Sequence, residues 1–110
     1  MQLEARKLLY DIQTACGAIK EFIADKNLED YEKDLMLQSA VERQFMIVGE
    51  ALSQLIREWP HFENEISNAR EIIDFRNVMV HGYSSIENQT VWGVIQADLP
   101  VLLKEINCLI

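Results

Sequence analysis

Between Leu3 and about Ile23, the apolar residues Leu8, Leu9, Ile12, Ala15, Ile19, Phe22 and Ile23 recur at steps of three and four. That period predicts an amphipathic first helix. The polar stretch from Ala24 to Asp30 ends it, and Asn27 or Asp30 is placed to cap the next element. A long second helix is expected over Asp30 to Glu58, on Leu35, Leu37, Ala40, Val41, Ile47, Val48, Ala51, Leu52 and Leu55. Trp59-Pro60-His61 breaks it, because proline lacks a backbone donor and pushes the preceding residue out of helical angles. Ile66, Ala69, Ile72, Ile73 and Val80 mark a third helix running to Gly82, where glycine suits a left-handed C-terminal cap. Ser84 or Ser85 is expected to start a fourth, with Val91, Val94, Ile95, Leu102, Leu103 and Ile106 inward and a kink or division at Pro100.

Sustained apolar/polar alternation at period two, the mark of a half-buried strand, is absent from the sequence. Only 4 Gly and 2 Pro occur in 110 residues, too few for the many short turns of a sandwich or barrel. The expected architecture is all-α: an up-and-down four-helix bundle forming a single domain over residues 1–110. An apolar content of 49% with 25% charged residues is that of a chain able to bury a core.

Charge narrows the functional classes. Eighteen acidic residues against ten basic ones leave a net charge of -8. This opposes non-specific binding to nucleic acid or to an anionic membrane, so any RNA contact must be local. Cys16 and Cys108 stand far apart with no second Cys or His at metal-ligand spacing, and residues 1–13 carry no apolar signal-peptide run. A reducing cytoplasm is therefore expected, with no metal and no membrane span.

The chemistry-bearing residues concentrate in Phe75-Arg76-Asn77-Val78-Met79-Val80-His81-Gly82-Tyr83. At about 100° per residue, Asn77 and His81 share one helix face and Arg76 and Tyr83 another. Arg76 and His81 point about 140° apart, so they meet on one ligand only through the reach of Arg, unwinding near Gly82, or a second copy of the chain. Histidine exchanges a proton near neutral pH, and the planar guanidinium stabilises a phosphate or a developing phosphorane. Together they suit RNA cleavage without a metal, since RNA supplies its own nucleophile in the ribose 2′-hydroxyl. Asn77 is placed to hold the His81 imidazole in one tautomer.

The same residues admit structural readings. Cations near a helix C-terminus are favoured by the dipole, and a tyrosine at a helix end commonly keeps its ring inward and its hydroxyl wet. Gly49-Glu50 serves either close helix packing, with Glu50 bridging to Asn77, or catalysis. His61, in a proline-containing loop, reads as a solvated surface residue, and Trp59 and Trp92 as core or interface anchors. The acidic run from Asp25 to Asp34 reads as a solvated turn, or as charge presented to a basic partner.

The order Arg76, four residues, His81, one residue, Tyr83 resembles the R-x4-H-x-Y motif of the HEPN superfamily, specifically HepT-type toxins. Ala40-Val41-Glu42-Arg43 with Ile47-Val48-Gly49-Glu50-Ala51 resembles the family's second helix, and Val91-Trp92 with Leu99-Pro100 its last. The resemblance implies an all-helical homodimer whose paired third helices build a ribonuclease cleft without a metal or other cofactor, acting on RNA as the toxin of a two-gene module. It implies Arg76 and His81 as catalytic residues, beside which Asn77 keeps the supporting role read from its own chemistry. The implied partner is a minimal nucleotidyltransferase, the MntA-type antitoxin, which transfers AMP onto the tyrosine two residues after the histidine, here Tyr83. A different class of function fits the same fold: a non-catalytic helical module that binds a nucleotidyltransferase.

Overall fold

Two short polar side chains divide what hydrophobic periodicity alone would merge. In the computed structural model, which describes residues 2–81 and 86–110, the expected second helix is two elements, α2 (Leu28–Glu32) and α3 (Leu35–Glu58), following α1 (Leu3–Phe22). Asn27 caps α2 reciprocally: its Oδ1 accepts from the Asp30 amide at 2.9 Å, and Asp30 Oδ2 accepts from the Asn27 amide at 3.0 Å. Asp34 then leaves helical angles and accepts from the Leu37 amide at 3.0 Å, starting α3 afresh. Gln38 reaches back from α3 and donates to the Tyr31 carbonyl at 2.9 Å, a second bond to an oxygen that also accepts from the Asp34 amide at 3.3 Å. The corner is locked from below as well, because the Tyr31 ring is fully buried against Trp92 with ring centroids 5.6 Å apart.

The Trp-Pro-His break falls where the sequence places it, α3 ending at Glu58. A short α4 (Phe62–Glu65) follows, and α5 (Ala69–His81) begins three residues later than Ile66, which is buried as the residue closing α4. Side chains tie this corner down. Arg70 donates from Nε and Nη2 to the two carboxylate oxygens of Glu63, each at 3.0 Å. The Ser67 amide and hydroxyl both donate to Glu105 Oε1 at 3.0 Å, and Asn68 Nδ2 donates to the Asp98 carbonyl at 2.9 Å. Both Asp98 and Glu105 belong to α6 (Asn88–Leu109). The expected cap at Gly82 and helix start at Ser84 or Ser85 lie outside the described residues, and the observed α6 opens at Asn88 after Glu87. Pro100 does not divide α6. Leu99 and Leu102 on either side of it are buried, and their packing holds the helix together through the missing hydrogen bond.

The four long helices form the bundle. Helix α3 is its centre, with α1 and α5 packed on it and α6 closing on α1 and α2. Leu9, Ile12, Ile19, Val41, Phe45, Leu52, Leu102 and Ile106 form the middle of one continuous core, and none of the described residues that are buried is polar or charged. The least dimension of 19 Å is about two helix diameters, so the molecule is two helix layers thick. No helix among the described residues is long and apolar enough to cross a membrane.

Candidate active site on helix α5

The site is built from α5 outward. Ala69, Ile72 and Ile73 anchor the first turns of this helix in the core. The half-buried Phe75 then meets Phe45 of α3 edge to face, with centroids 5.2 Å apart and planes at 83°. The next residue, Arg76, lays its aliphatic stem across the α3 backbone at Gly49. A Cβ at Gly49 would collide with Cβ and Cγ of Arg76 and lie 3.1 Å from its Cδ. Glycine is thus required here by a close approach between helices rather than by any special backbone angle.

The Arg76 guanidinium is half in and half out. Its Nε is buried and has no hydrogen-bond partner among the described residues, whereas Nη1 donates to Asn77 Oδ1 at 3.1 Å. Asn77 is exposed, and so is His81, the last residue of α5. The helix is continuous from Arg76 to His81, so it keeps the divergence expected from their five-residue spacing. Asn77 gives its carbonyl oxygen to Arg76, and no hydrogen bond joins it to His81 among the described residues. Between these polar groups Val78 and Val80 are 57% and 40% exposed. Tyr83 lies outside the described residues.

Of the two readings of Gly49-Glu50, packing holds for the glycine, and the bridge from Glu50 to Asn77 does not form. Glu50 is exposed and lines a shallow groove of about 210 Å³ between α1 and α3, with Lys7, Asp11 and Arg43. What the sequence did not reveal was the partner of Gly49. A lone glycine inside an apolar helical pattern was the available signal, and its contact lies 27 residues away. His61 is exposed and stacks on Phe62 with centroids 4.3 Å apart, and Trp59 and Trp92 are half-buried against the core. Two larger hollows, of about 570 and 550 Å³, are lined by Trp59, His61 and Phe62 and by Lys20, Leu103 and Lys104 respectively, and neither includes Arg76 or His81. On α5 itself Asn77, Val78, Val80 and His81 are exposed. No group of three or more potential metal ligands occurs among the described residues.

Away from the site, burial pushes the Cys16 thiol up to about 12. Burial, with the Glu42 carboxylate nearby, raises Tyr31. The hydrogen bonds from Arg70 hold the Glu63 carboxyl below the ordinary value.

Comparison with known proteins adds the relatives of this arrangement. A family model described as "Ribonuclease HepT-like" matches residues 12–109. Over 106 residues, 94% of each chain, the sequence is 27% identical to a protein of Methanocaldococcus jannaschii named "Putative RNase MJ1380". It is 29% identical over 102 residues to one of Thermococcus cleftensis named "Probable ribonuclease HepT", covering 93% of this chain and 92% of the relative. No solved structure matches.

Proposed function

Because the chain belongs to the HepT-like ribonuclease family, we propose that it is a metal-independent endoribonuclease, the toxin of a toxin-antitoxin module, with Arg76 and His81 as its catalytic residues and Asn77 in support. The observation that carries this reading is the seating of Arg76: its stem is gripped at Gly49 and its head is held at the surface by Asn77, one and a half turns before an exposed imidazole. A cation held in this way needs no reorganisation when charge develops on a phosphate.

The chemistry follows from the substrate. His81 acts in proton transfer at the ribose 2′-hydroxyl or at the leaving oxygen. The 2′-oxygen attacks the adjacent phosphorus, Arg76 stabilises the charge gathering on the nonbridging oxygens, and the 5′-oxygen departs with a proton. The products are a 2′,3′-cyclic phosphate and a 5′-hydroxyl. Arg76 and His81 of one chain diverge, so the complete site is a homodimeric one in which a second copy covers Val78 and Val80 and brings its own α5 alongside.

Control falls to a minimal nucleotidyltransferase antitoxin that transfers AMP to Tyr83, two residues beyond His81. The phosphate it adds repels an RNA backbone and the base fills the cleft. The net charge of -8 favours a second reading, a non-catalytic module that only binds the nucleotidyltransferase. One experiment separates the two. Purified wild type should cleave RNA in the presence of EDTA and leave cyclic-phosphate ends, while Arg76→Ala and His81→Ala are inactive with unchanged helix content. Incubation with ATP and the nucleotidyltransferase should add AMP and silence the wild type, whereas Tyr83→Phe should stay active. Cleavage that vanished on chelation and returned with magnesium would overturn the mechanism, and inactivity of the purified wild type would favour the binding module.

A further inference from the structure

From the contact between α3 and α5 we infer that Gly49 is the positioning residue for Arg76: the missing side chain is what fixes the guanidinium at the reacting phosphate. The inference rests on the catalytic reading of Arg76 and adds a residue from another helix to it. The three glycines of the described residues make the case by contrast. Gly17 and Gly93 have nothing within 4 Å of where a Cβ would stand, whereas at Gly49 the obstacle is the base of the Arg76 side chain. A flexible tip could swing aside, and Cγ could turn about χ1, but the Arg76 Cβ that a side chain at position 49 would meet moves only with the α5 backbone. Any side chain at position 49 therefore displaces α5 at Arg76 itself.

The consequence runs along the side chain. With its stem pressed on α3, Arg76 has its Nε in the protein with no hydrogen-bond partner among the described residues, an arrangement that costs stability and that the neighbouring packing must offset. Farther along the side chain, Nη1 donates to Asn77 Oδ1 at 3.1 Å. Phe75 on Phe45 anchors α5 one residue earlier, so the helix cannot rotate to relieve a collision without breaking that edge contact. Position 49 is thus set by the demands of the arginine and not by those of α3, whose interior would be firmer with alanine.

The test compares three substitutions with kinetics and stability measured together, well below each melting temperature. Gly49→Ala should keep its helix content and lower kcat about tenfold to a hundredfold, the cost of misplacing a catalytic group by about an ångström. KM should change by no more than about twofold, since contacts made only in the transition state are the ones lost. Gly17→Ala and Gly93→Ala should retain wild-type kcat. Ile73→Val, a core change on the same helix, should lower the melting temperature without lowering kcat. Wild-type kcat in Gly49→Ala, or an equal kcat loss in Ile73→Val at matched stability, would overturn the inference and leave Gly49 a packing residue. A second readout needs neither activity nor a folded variant: in the free wild type the Arg76 Nε–H should exchange with solvent far more slowly by NMR than that of exposed Arg43. Equal exchange would refute the burial on which the positioning depends. If the wild type cleaves no RNA yet shows the slow exchange, the seat stands and the ribonuclease reading falls.

Discussion

Helix α1 buries seven residues along its whole length between α3 and α6, whereas α5 buries Ala69, Ile72 and Ile73 in its first turns and nothing fully after them. Both helices carry apolar residues at helical spacing, so the difference lies in their neighbours. Helix α1 is flanked on two sides and further tied by Gln13 Nε2, which donates to Asn107 Oδ1 at 2.8 Å. Helix α5 packs chiefly on α3 alone. Beyond Phe75 its inner side still rests on the core through Arg76 and Met79, and its outward face mixes two exposed valines with a guanidinium head, an amide and an imidazole. A helix gripped from two sides spends its sequence on stability, and one gripped from a single side keeps a face for chemistry.

The largest expected effect probes the gripped side. Leu52→Ala, in the fully buried centre of α3, should cost about 2–5 kcal/mol in chemical denaturation, the range for emptying a packed leucine site. A comparable truncation on the open half, Val80→Ala, should cost no more than about 0.5 kcal/mol in the stability of the single chain. Equal losses at the two positions would mean that the open half of α5 is covered within the chain.

The same asymmetry predicts where association should be sensitive. Val78→Asp places a charge on the exposed valine face and should shift a sedimenting dimer to the 12.8 kDa single chain while leaving helix content intact. Ala18→Asp, on the half-buried flank of α1, tests whether any added carboxylate has that effect. Dissociation by both variants would argue against a specific α5 interface.

Thiol chemistry offers a smaller contrast between an inside and an outside group. Cys16 is buried, with its thiol held near 12, so at pH 8 a disulfide-exchange reagent should titrate exposed Cys108 alone, and both only after unfolding. A raised thiol value favours the folded state below the ordinary cysteine value, and this contribution is lost as pH rises from there toward 12.

The smallest effect belongs to the clamp between Glu63 and Arg70. Arg70 lowers the Glu63 carboxyl, so its contribution is present above the ordinary carboxylate value and is lost as pH falls through the lowered one. Both side chains stand in solvent, so the change should be slight and should weaken with salt. Melting curves of Arg70→Ala and wild type should approach each other as the pH is lowered.

Much of this molecule is legible in its sequence. The three-and-four spacing places α1, most of α3 and the core side of α6, because burial of one stripe is a local consequence of helical period. Trp59-Pro60 marks the end of α3 through a steric rule that needs no tertiary knowledge. The Arg76, Asn77 and His81 cluster also stands out, as a density of polar chemistry in an apolar helix. Less legible was the break at Asp34, since periodicity runs through it and only the capping bonds to Leu37 and from Gln38 decide for two helices over one.

Sequence by itself determined an all-helical bundle and the helix that bears the polar cluster, because helical period, proline geometry and side-chain chemistry are properties of neighbouring residues. The tertiary structure alone decided what that cluster becomes. It set Arg76 on Gly49 and left Val78 and Val80 uncovered. Those outcomes depend on how closely α5 approaches α3 and on which helices stop short of it. Such distances are fixed by packing between residues far apart in the chain, and no local pattern encodes them.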